Sequence, residues 1–537
     1  MISKILKSVC IIIYSFLLSI SLFYTDKINS LKTSNALKNS NYYILTKEDF
    51  EPIIQIFPIV FILVLISILL FKYIKIGNQT VINFSIKKIV AFFFIAWFPF
   101  LLVFFPTVGM NDAYYILHSP LNLSTIHPFF YNYFIAIPSK ISFKIFNTMT
   151  YGLFISVIIQ MIFMAFSISY TISWLNERLK NKYIIYLLIV YFAFTPLIVN
   201  YSIATVKDTI FSVVIMLWIP FLYEIFVENK KIFTNKFTKY YFCFIAFMTM
   251  AMRNNGKYIF IPLLLLLFYK CITERKILLK YGIIIFIICN LPNFYLSVFR
   301  DRPQLFQEAI AIPIQQLART IAINGELDKN QKIYLNNLLP LEKINKQYDP
   351  FSVDTLKWDQ NFNRSYLQQT KNKFIEIWFT GLKHNTHIYI DAWVLQTFAC
   401  WANKTQDWES QSKFGYILTD EVLKSNTFPT QRPSYSPIII PQSISEILGN
   451  YLLKHSDFIN PGNCFWLIGY ITLLLIFKNK YYATVILLPL FLCWFSLMIA
   501  VPLSFAYRYA FMYPLCLPFL IFIPFIQNQN NGDNQNA

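Results

Sequence analysis

Asp112 stands just past an apolar run that closes with Phe104-Phe105-Pro106, in GMNDAYYILHSPLNLSTIHPFF (109–130), a stretch that also holds His118 and His127, two of the chain's five histidines. Other ionisable residues stand at the edges of apolar runs far away in sequence: Lys207-Asp208 in ATVKDTIFS, Arg253 and Lys257 in MRNNGKYIF, and Arg508-Tyr509 in YRYAFMYPL. Charges at membrane depth are costly, so a chain that places them at run boundaries has a reason to keep them. Cations at a membrane surface suit a phosphate or diphosphate. A lone acid among them suits a general base that takes a proton from a hydroxyl. Each residue also has a purely structural reading. Asp112 could cap a short helix, and His127 before Pro128 could mark a helix start. Lys207-Asp208 could be an ion-paired first turn. Arg253 and Arg508 could be snorkelling anchors.

The elements that would bring these residues together are membrane helices. The chain has 537 residues, of which 56% are hydrophobic and only 14% charged. A soluble domain carries about 25% charged residues. This deficit, spread over long apolar runs, indicates an all-α polytopic membrane protein. The net charge of +19 fits Lys- and Arg-rich cytoplasmic loops, and no nucleic-acid-binding module is visible. The eight cysteines form no CxxC or His/Cys cluster; most read as small buried hydrophobes, and only Cys400 and Cys464 are placed where they could pair.

About twelve runs are long enough to span, at roughly 8–24, 53–75, 88–105, 151–174, 183–199, 209–227, 238–253, 257–273, 281–298, 463–477, 482–500 and 506–526. The first is signal-like but lacks a small-x-small site, so it is expected to stay as an uncleaved helix. With the N-terminus in the cytoplasm, the inner loops NERLKNK, ENKKIFTNKFTK and TERKILLK are all basic, as the positive-inside rule requires. Counting 126–148 as a thirteenth span would invert every later loop. Residues 107–150 are therefore expected to be one long outer loop with amphipathic helices along the membrane surface. The expected organisation is a two-helix segment over 1–84 with an outer loop at 26–50, a membrane core over 85–298, an outer segment over 299–460, C-terminal spans over 461–526, and a disordered tail over 527–537.

The same residues carry a resemblance. The layout resembles the GT-C class of membrane glycosyltransferases, whose first large outer loop bears an acid just after a membrane helix. More narrowly, it is similar to an uncharacterised bacterial multipass family related to that class. The matching stretches are Asn111-Asp112, HPFF from His127, ATVKDTIFS, MRNNGKYIF, IPIQQLART with Gln315, Gln316 and Arg319, YDPFSVDTLK with Asp354 and Lys357, and YRYAFMYPL, over roughly 85–525. Two departures stand out: the family's frequent second acid beside the first is absent, and two extra spans precede the core.

The resemblance implies an enzyme of the cytoplasmic membrane with an outward-facing site. It would move a sugar from a polyprenyl-phosphate donor to a cell-envelope glycan, lipid or protein acceptor. Asp112 is then the base, with His127 positioning donor or acceptor. Lys207, Arg253, Lys257 and Arg508 would hold the phosphate. Asp208, Asn255, Gln315, Gln316, Arg319, Asp354, Lys357 and Tyr509 would bind substrate more loosely. No metal-ligand cluster is present in the pattern, no cofactor is certain, and a divalent metal is left open. The alternatives are a transporter or flippase of a lipid-linked sugar and a non-enzymatic scaffold. Transporters tend to show inverted repeats and Gly/Pro-broken helices at the midplane, and this chain shows no repeat and has 12 glycines.

Overall fold

Backbone groups inside a bilayer must be satisfied within their own segment, so apolar runs of this length fold as helices. A computed structural model of the protein describes residues 2–33, 37, 43–76, 81–83, 85–118, 125–300, 305–405, 416–424, 439–455 and 459–527. The fold is helical. Up to residue 299 the main helices are α1 (Ile2–Thr33), α2 (Phe50–Tyr73), α3 (Ile86–Val103), α4 (Asn111–His118), α5 (Phe129–Phe146), α6 (Thr150–Leu179), α7 (Lys182–Phe194), α8 (Pro196–Ile203), α9 (Lys207–Phe226), α10 (Lys236–Ala251), α11 (Lys257–Lys270) and α12 (Arg275–Phe299). Polar residues mark their ends. The Asn181 and Asn235 side chains accept from the first backbone N–H groups of α7 and α10. Asn147 and Lys180 close α5 and α6 in the left-handed conformation, at φ 54° and 52°.

Among the described residues, eight helices are long and apolar enough to cross a membrane, or nine if the bent pair α7–α8 is one span. This is a membrane protein. Three expected spans, at 238–253, 257–273 and 463–477, are helices of 16, 14 and 17 residues, each short of the 18 residues of the shortest of those eight. The expected outer loop 26–50 begins later than the composition suggests, because α1 continues to Thr33. The expected disordered tail lies, after Gln527, outside the described residues. Cys400 and Cys464 are both buried and both free, so the chain does not pair them.

One helix is central. Along α9 every side chain from Asp208 to Tyr223 is buried, the pattern of a helix that is apolar all round and has neighbours on every side. Its last turns hold Glu224 and its C-terminal end leads to Glu228, both of which pair with Arg178 at the end of α6. At the other end, the Gln160 side chain of α6 donates to the carbonyl of Ala204, just before α9 begins. The two helices therefore run in the same direction, and their starts lie at one end of the bundle.

A small sheet sits at that end. Strands β1 (Val108–Gly109) and β2 (Ala204–Thr205) pair in parallel, and β3 (Tyr416–Ile417) pairs antiparallel with β1, in the order β2-β1-β3. The Thr107 hydroxyl lies 2.8 Å from both the Ile203 carbonyl and the Thr205 hydroxyl, which ties the two strand starts together. A Cβ at Gly109 would overlap the Leu418 side chain, so only a glycine lets β3 approach this closely.

The apolar stretch 126–148 contains α5. It runs antiparallel to the first half of α6: Ser142 donates to the Thr148 carbonyl and Ser156 to the Phe134 carbonyl. The contact is tightest at Gly152, where a Cβ would strike the backbone of Pro138 and Ser139.

The 299–460 segment builds a second apolar core of its own, from helices Ala311–Ala322, Lys329–Leu338, Leu341–Gln347, Lys371–His384 and Thr386–Thr397. It docks on the bundle at the bend after the Leu488–Ala500 helix. Val353 N–H donates to the Pro502 carbonyl, Ser504 N–H to the Phe351 carbonyl, and the Gln396 side chain to the Val501 carbonyl.

Gly152→Ala tests the hairpin. The backbone it would strike cannot rotate away, so the cost should be that of overpacking, about 1–3 kcal/mol. Thermal unfolding in detergent should show it as a lowered midpoint, while Gly469→Ala, where the nearest atoms belong to the Tyr14 ring at 3.0 Å, should cost less.

Candidate functional site

Parallel pairing of β1 with β2 puts the residues that follow each strand at the same level. Gly109 lies opposite Thr205. Three residues after Gly109 comes Asp112, in the first turn of α4, and two after Thr205 comes Lys207, the first residue of α9. Their side chains meet: Lys207 Nζ is 2.6 Å from Asp112 Oδ2. Arg508, from the turn Tyr507–Ala510, reaches the same oxygen at 2.8 Å. His127 arrives from the loop before α5, its Nδ1 3.4 Å from Lys207 Nζ. The ammonium can only donate, so His127 Nδ1 is the acceptor and its other nitrogen carries the proton.

A second ion pair stands beside the first. Arg253 NH1 is 2.8 Å from Asp208 Oδ1, and the Asp208 side chain is wholly buried. The Arg253 guanidinium also lies over the Tyr509 ring, 4.9 Å from its centroid, and Arg508 donates to the Tyr509 hydroxyl at 3.0 Å. Asn254 donates to the carbonyls of Thr125 and Ile126, fixing the loop that carries His127 to the corner that carries Arg253. The Asn255 side of that corner lines a small recess with Arg253, Phe211, Cys493 and Ser496. Lys257 begins α11, its ammonium 5.2 Å from the Tyr258 ring centroid.

The electrostatics favour charged Asp112 and neutral His127. Burial works to raise the Asp112 carboxyl, but Arg508 and Lys207 override it and hold the group well below the usual carboxylate range. Burial, reinforced by Lys207 and Arg508, pushes His127 down to about 4. The ion-paired groups then sum to three cations against two carboxylates, one net positive charge. An enclosed site with that balance attracts an anion.

Asp112, His127, Lys207, Asp208, Arg253, Arg508 and Tyr509 thus come together, as their positions at run boundaries predict. The residues expected from the 299–460 segment mostly do not. Gln315 donates to the Asp349 carbonyl, and Gln316 is held between the Tyr389 carbonyl and the Trp378 indole. Arg319 is 1% exposed and pairs with Asp391, which also accepts from the backbone of Ile44 and Leu45. Polar side chains buried in a helical core need partners, and these have found them there. Lys357, 2% exposed, is taken up by Glu308 and Asp354. Asp354 alone retains a link to the cluster, lying within electrostatic reach of Tyr509.

Two residues at the site escaped sequence reasoning. Tyr131 and Tyr201 are fully buried, their hydroxyls have no hydrogen-bond partner among the described residues, and both lie within electrostatic reach of Asp208 and Arg508. The signal was present as polar pairs inside apolar runs, Tyr131-Asn132 and Asn200-Tyr201. Among the described residues, no group of three or more His, Cys, Asp or Glu side chains is placed to hold a metal ion.

The fold and site define a helical membrane protein with a buried acid–cation cluster at one end of its bundle. The chain belongs to DUF6020, a family of unknown function whose sequence model matches residues 59–537. No curated protein and no solved structure matches it.

His127 sets a pH dependence. Its value falls from 6.5 in the unfolded chain to about 4 in the fold, so between these limits the unfolded chain binds more protons. Stability should therefore fall as pH drops from about 6.5 toward 4. Thermal unfolding in detergent across this window should show a shallower decline for His127→Gln than for the unaltered protein; equal slopes would contradict a buried neutral imidazole.

Proposed function

We propose that the protein is a GT-C-like glycosyltransferase of the cytoplasmic membrane, using a polyprenyl-phosphate sugar as donor. It has about twelve spans, its N-terminus in the cytoplasm and its site facing outward. The acceptor is a hydroxyl on a cell-envelope glycan, lipid or protein. One observation carries this reading: two acids and three cations from four separate helix ends converge on one cluster with a single net positive charge.

That balance suits the chemistry. A polyprenyl-phosphate sugar is a phosphodiester with one negative charge, so donor and site together are neutral. In the reaction the acceptor oxygen forms a bond to the anomeric carbon and gives its proton to Asp112. The bond from the anomeric carbon to the phosphate oxygen breaks, and its electron pair leaves with the lipid phosphate, now a dianion. Protonated Asp112 raises the site to two positive charges as the phosphate gains its second negative one. Lys207, Arg508 and Arg253 stabilise that developing charge where it forms. His127 and Tyr509 hold the sugar and phosphate in line, and Asn255 shares a recess with Arg253. The transport reading needs no acid gripped by two cations.

The test compares surface glycans by mass spectrometry in cells lacking the chain and cells carrying Asp112→Asn. Removing a general base typically costs about 10²–10⁴ in rate, so the Asn variant should give the glycan profile of the deletion while accumulating as folded protein. A wild-type profile from that variant would sink the assignment. Arg508→Gln should reduce transfer comparably, through loss of phosphate stabilisation.

A further inference from the structure

The two carboxylates of the cluster are held in different ways. Asp208 is fully buried against Arg253. Asp112 offers one oxygen, Oδ2, to both Lys207 Nζ at 2.6 Å and Arg508 NH1 at 2.8 Å, and the three side chains remain 13–17% exposed. A single oxygen shared between an ammonium and a guanidinium is the arrangement a phosphate oxygen would adopt. The site's own acid already fills that position.

We propose that the Asp112 carboxylate is a resident anion standing in the phosphodiester position, and that an incoming phosphodiester competes with it for Lys207 and Arg508. The inference rests on reading the cluster as a phosphate site. Its consequence is that ligand binding creates the base. While both cations serve Asp112, its charged form is strongly favoured and it takes protons poorly. Once they turn to the ligand, Asp112 loses two stabilising partners and gains a negative neighbour, and its proton affinity rises. The base is strong only when the donor is in place, so water or a stray hydroxyl meets no competent base in the empty site.

The groups facing Asp112 bear this out from every side. Lys207 comes from the start of α9, Arg508 from the turn before the Met512–Leu520 helix, and His127 from the loop before α5. Tyr131 comes from α5, and the Asp208 carboxylate and Tyr509 lie beyond. Lys207 and Arg508 hold Asp112 charged. His127 is neutral near pH 7, so it neither competes for the cations nor neutralises Asp112. Coupling between sites is reciprocal: if the anion raises the proton affinity of Asp112, protonation raises the affinity for the anion by the same factor.

The experiment measures binding to the full-length protein in detergent micelles. The probes are dimethyl phosphate and a short-chain prenyl methyl phosphodiester, which keep one fixed charge across the pH range used. At pH 7, Asp112→Asn should bind a phosphodiester roughly tenfold or more tightly than the unaltered protein, because the competitor is gone. Affinity of the unaltered protein should rise as pH falls from 7 to 5. His127→Gln should keep that rise and Asp112→Asn should lose it. The pH series on the unaltered protein stands even if the variant folds poorly. The same pattern with both probes assigns the site to the phosphodiester group alone, and the pattern with the prenyl probe only assigns it to a lipid-borne one.

Equal or weaker binding by Asp112→Asn, or a flat pH series in the unaltered protein, would overturn the proposal. So would binding of neither probe to any form. Failure here is separable from failure of the transfer reading. Tighter binding by Asp112→Asn with unchanged surface glycans leaves the competition standing and removes glycosyl transfer. Loss of the glycan without any gain in affinity does the reverse.

Discussion

Two strands of two residues each set the geometry on which the site depends. Because β1 and β2 run in parallel and in register, the residues three past one and two past the other emerge side by side. Those residues are an acid and a lysine, and each stands in the first turn of a helix. The rest of the local fold serves that pairing. Thr107 ties the strand starts together, Gln160 of α6 holds the Ala204 carbonyl, and Gly109 leaves room for β3 to close the far edge. A one-residue slip of the pairing would carry Lys207 away from Asp112 and leave the ammonium without its carboxylate in a poorly solvated place, where a lone charge is costly. The ion pair and the strand pairing therefore specify each other.

Around this point the chain spends many segments on one small volume. Arg508 reaches it from the C-terminal helices, His127 from the loop before α5, and Arg253 from the corner between α10 and α11. The 299–460 segment is anchored only a few residues before Arg508, through backbone bonds from 351–353 to 502–504. The N-terminal segment reaches the same region: Asp391, which pairs with Arg319, also accepts from Ile44 and Leu45, and the Lys32 ammonium lies 4.3 Å from the Phe505 ring centroid. Residues before position 59 fall outside the family match, yet they are built into the contacts that hold the approach to Arg508.

Much of this was legible in the chain itself, for a physical reason. An ionisable residue at the edge of an apolar run has few explanations, so Asp112, Lys207, Arg253 and Arg508 stood out before any geometry was known. The residues taken from the resemblance alone, in the mixed segment, carry no such constraint. Gln315, Gln316 and Arg319 look like binding residues in a string of letters, but each bonds to partners inside a helical core. A buried polar group that satisfies a fold and one that awaits a ligand have the same sequence signature. Tyr131 and Tyr201 were hidden by the opposite effect, because an aromatic residue in an apolar run carries no visible charge. Strands of two residues have no periodicity to read, so the register that brings Asp112 to Lys207 could emerge only in three dimensions. The close backbone contact between α5 and α6 at Gly152 was likewise not readable from the pattern of their faces.

The burial of α9 has one more consequence. From Asp208 to Tyr223 no side chain of this helix is open to its surroundings, so it is an axle inside the bundle and not part of its wall. Lys207 rides on the end of that axle. The outer helices separate the stretch from Asp208 to Tyr223 from whatever surrounds the bundle, and only the ends of α9 are partly open. The periphery can change without moving the charges, because the axle holds Lys207 and Asp208 from inside.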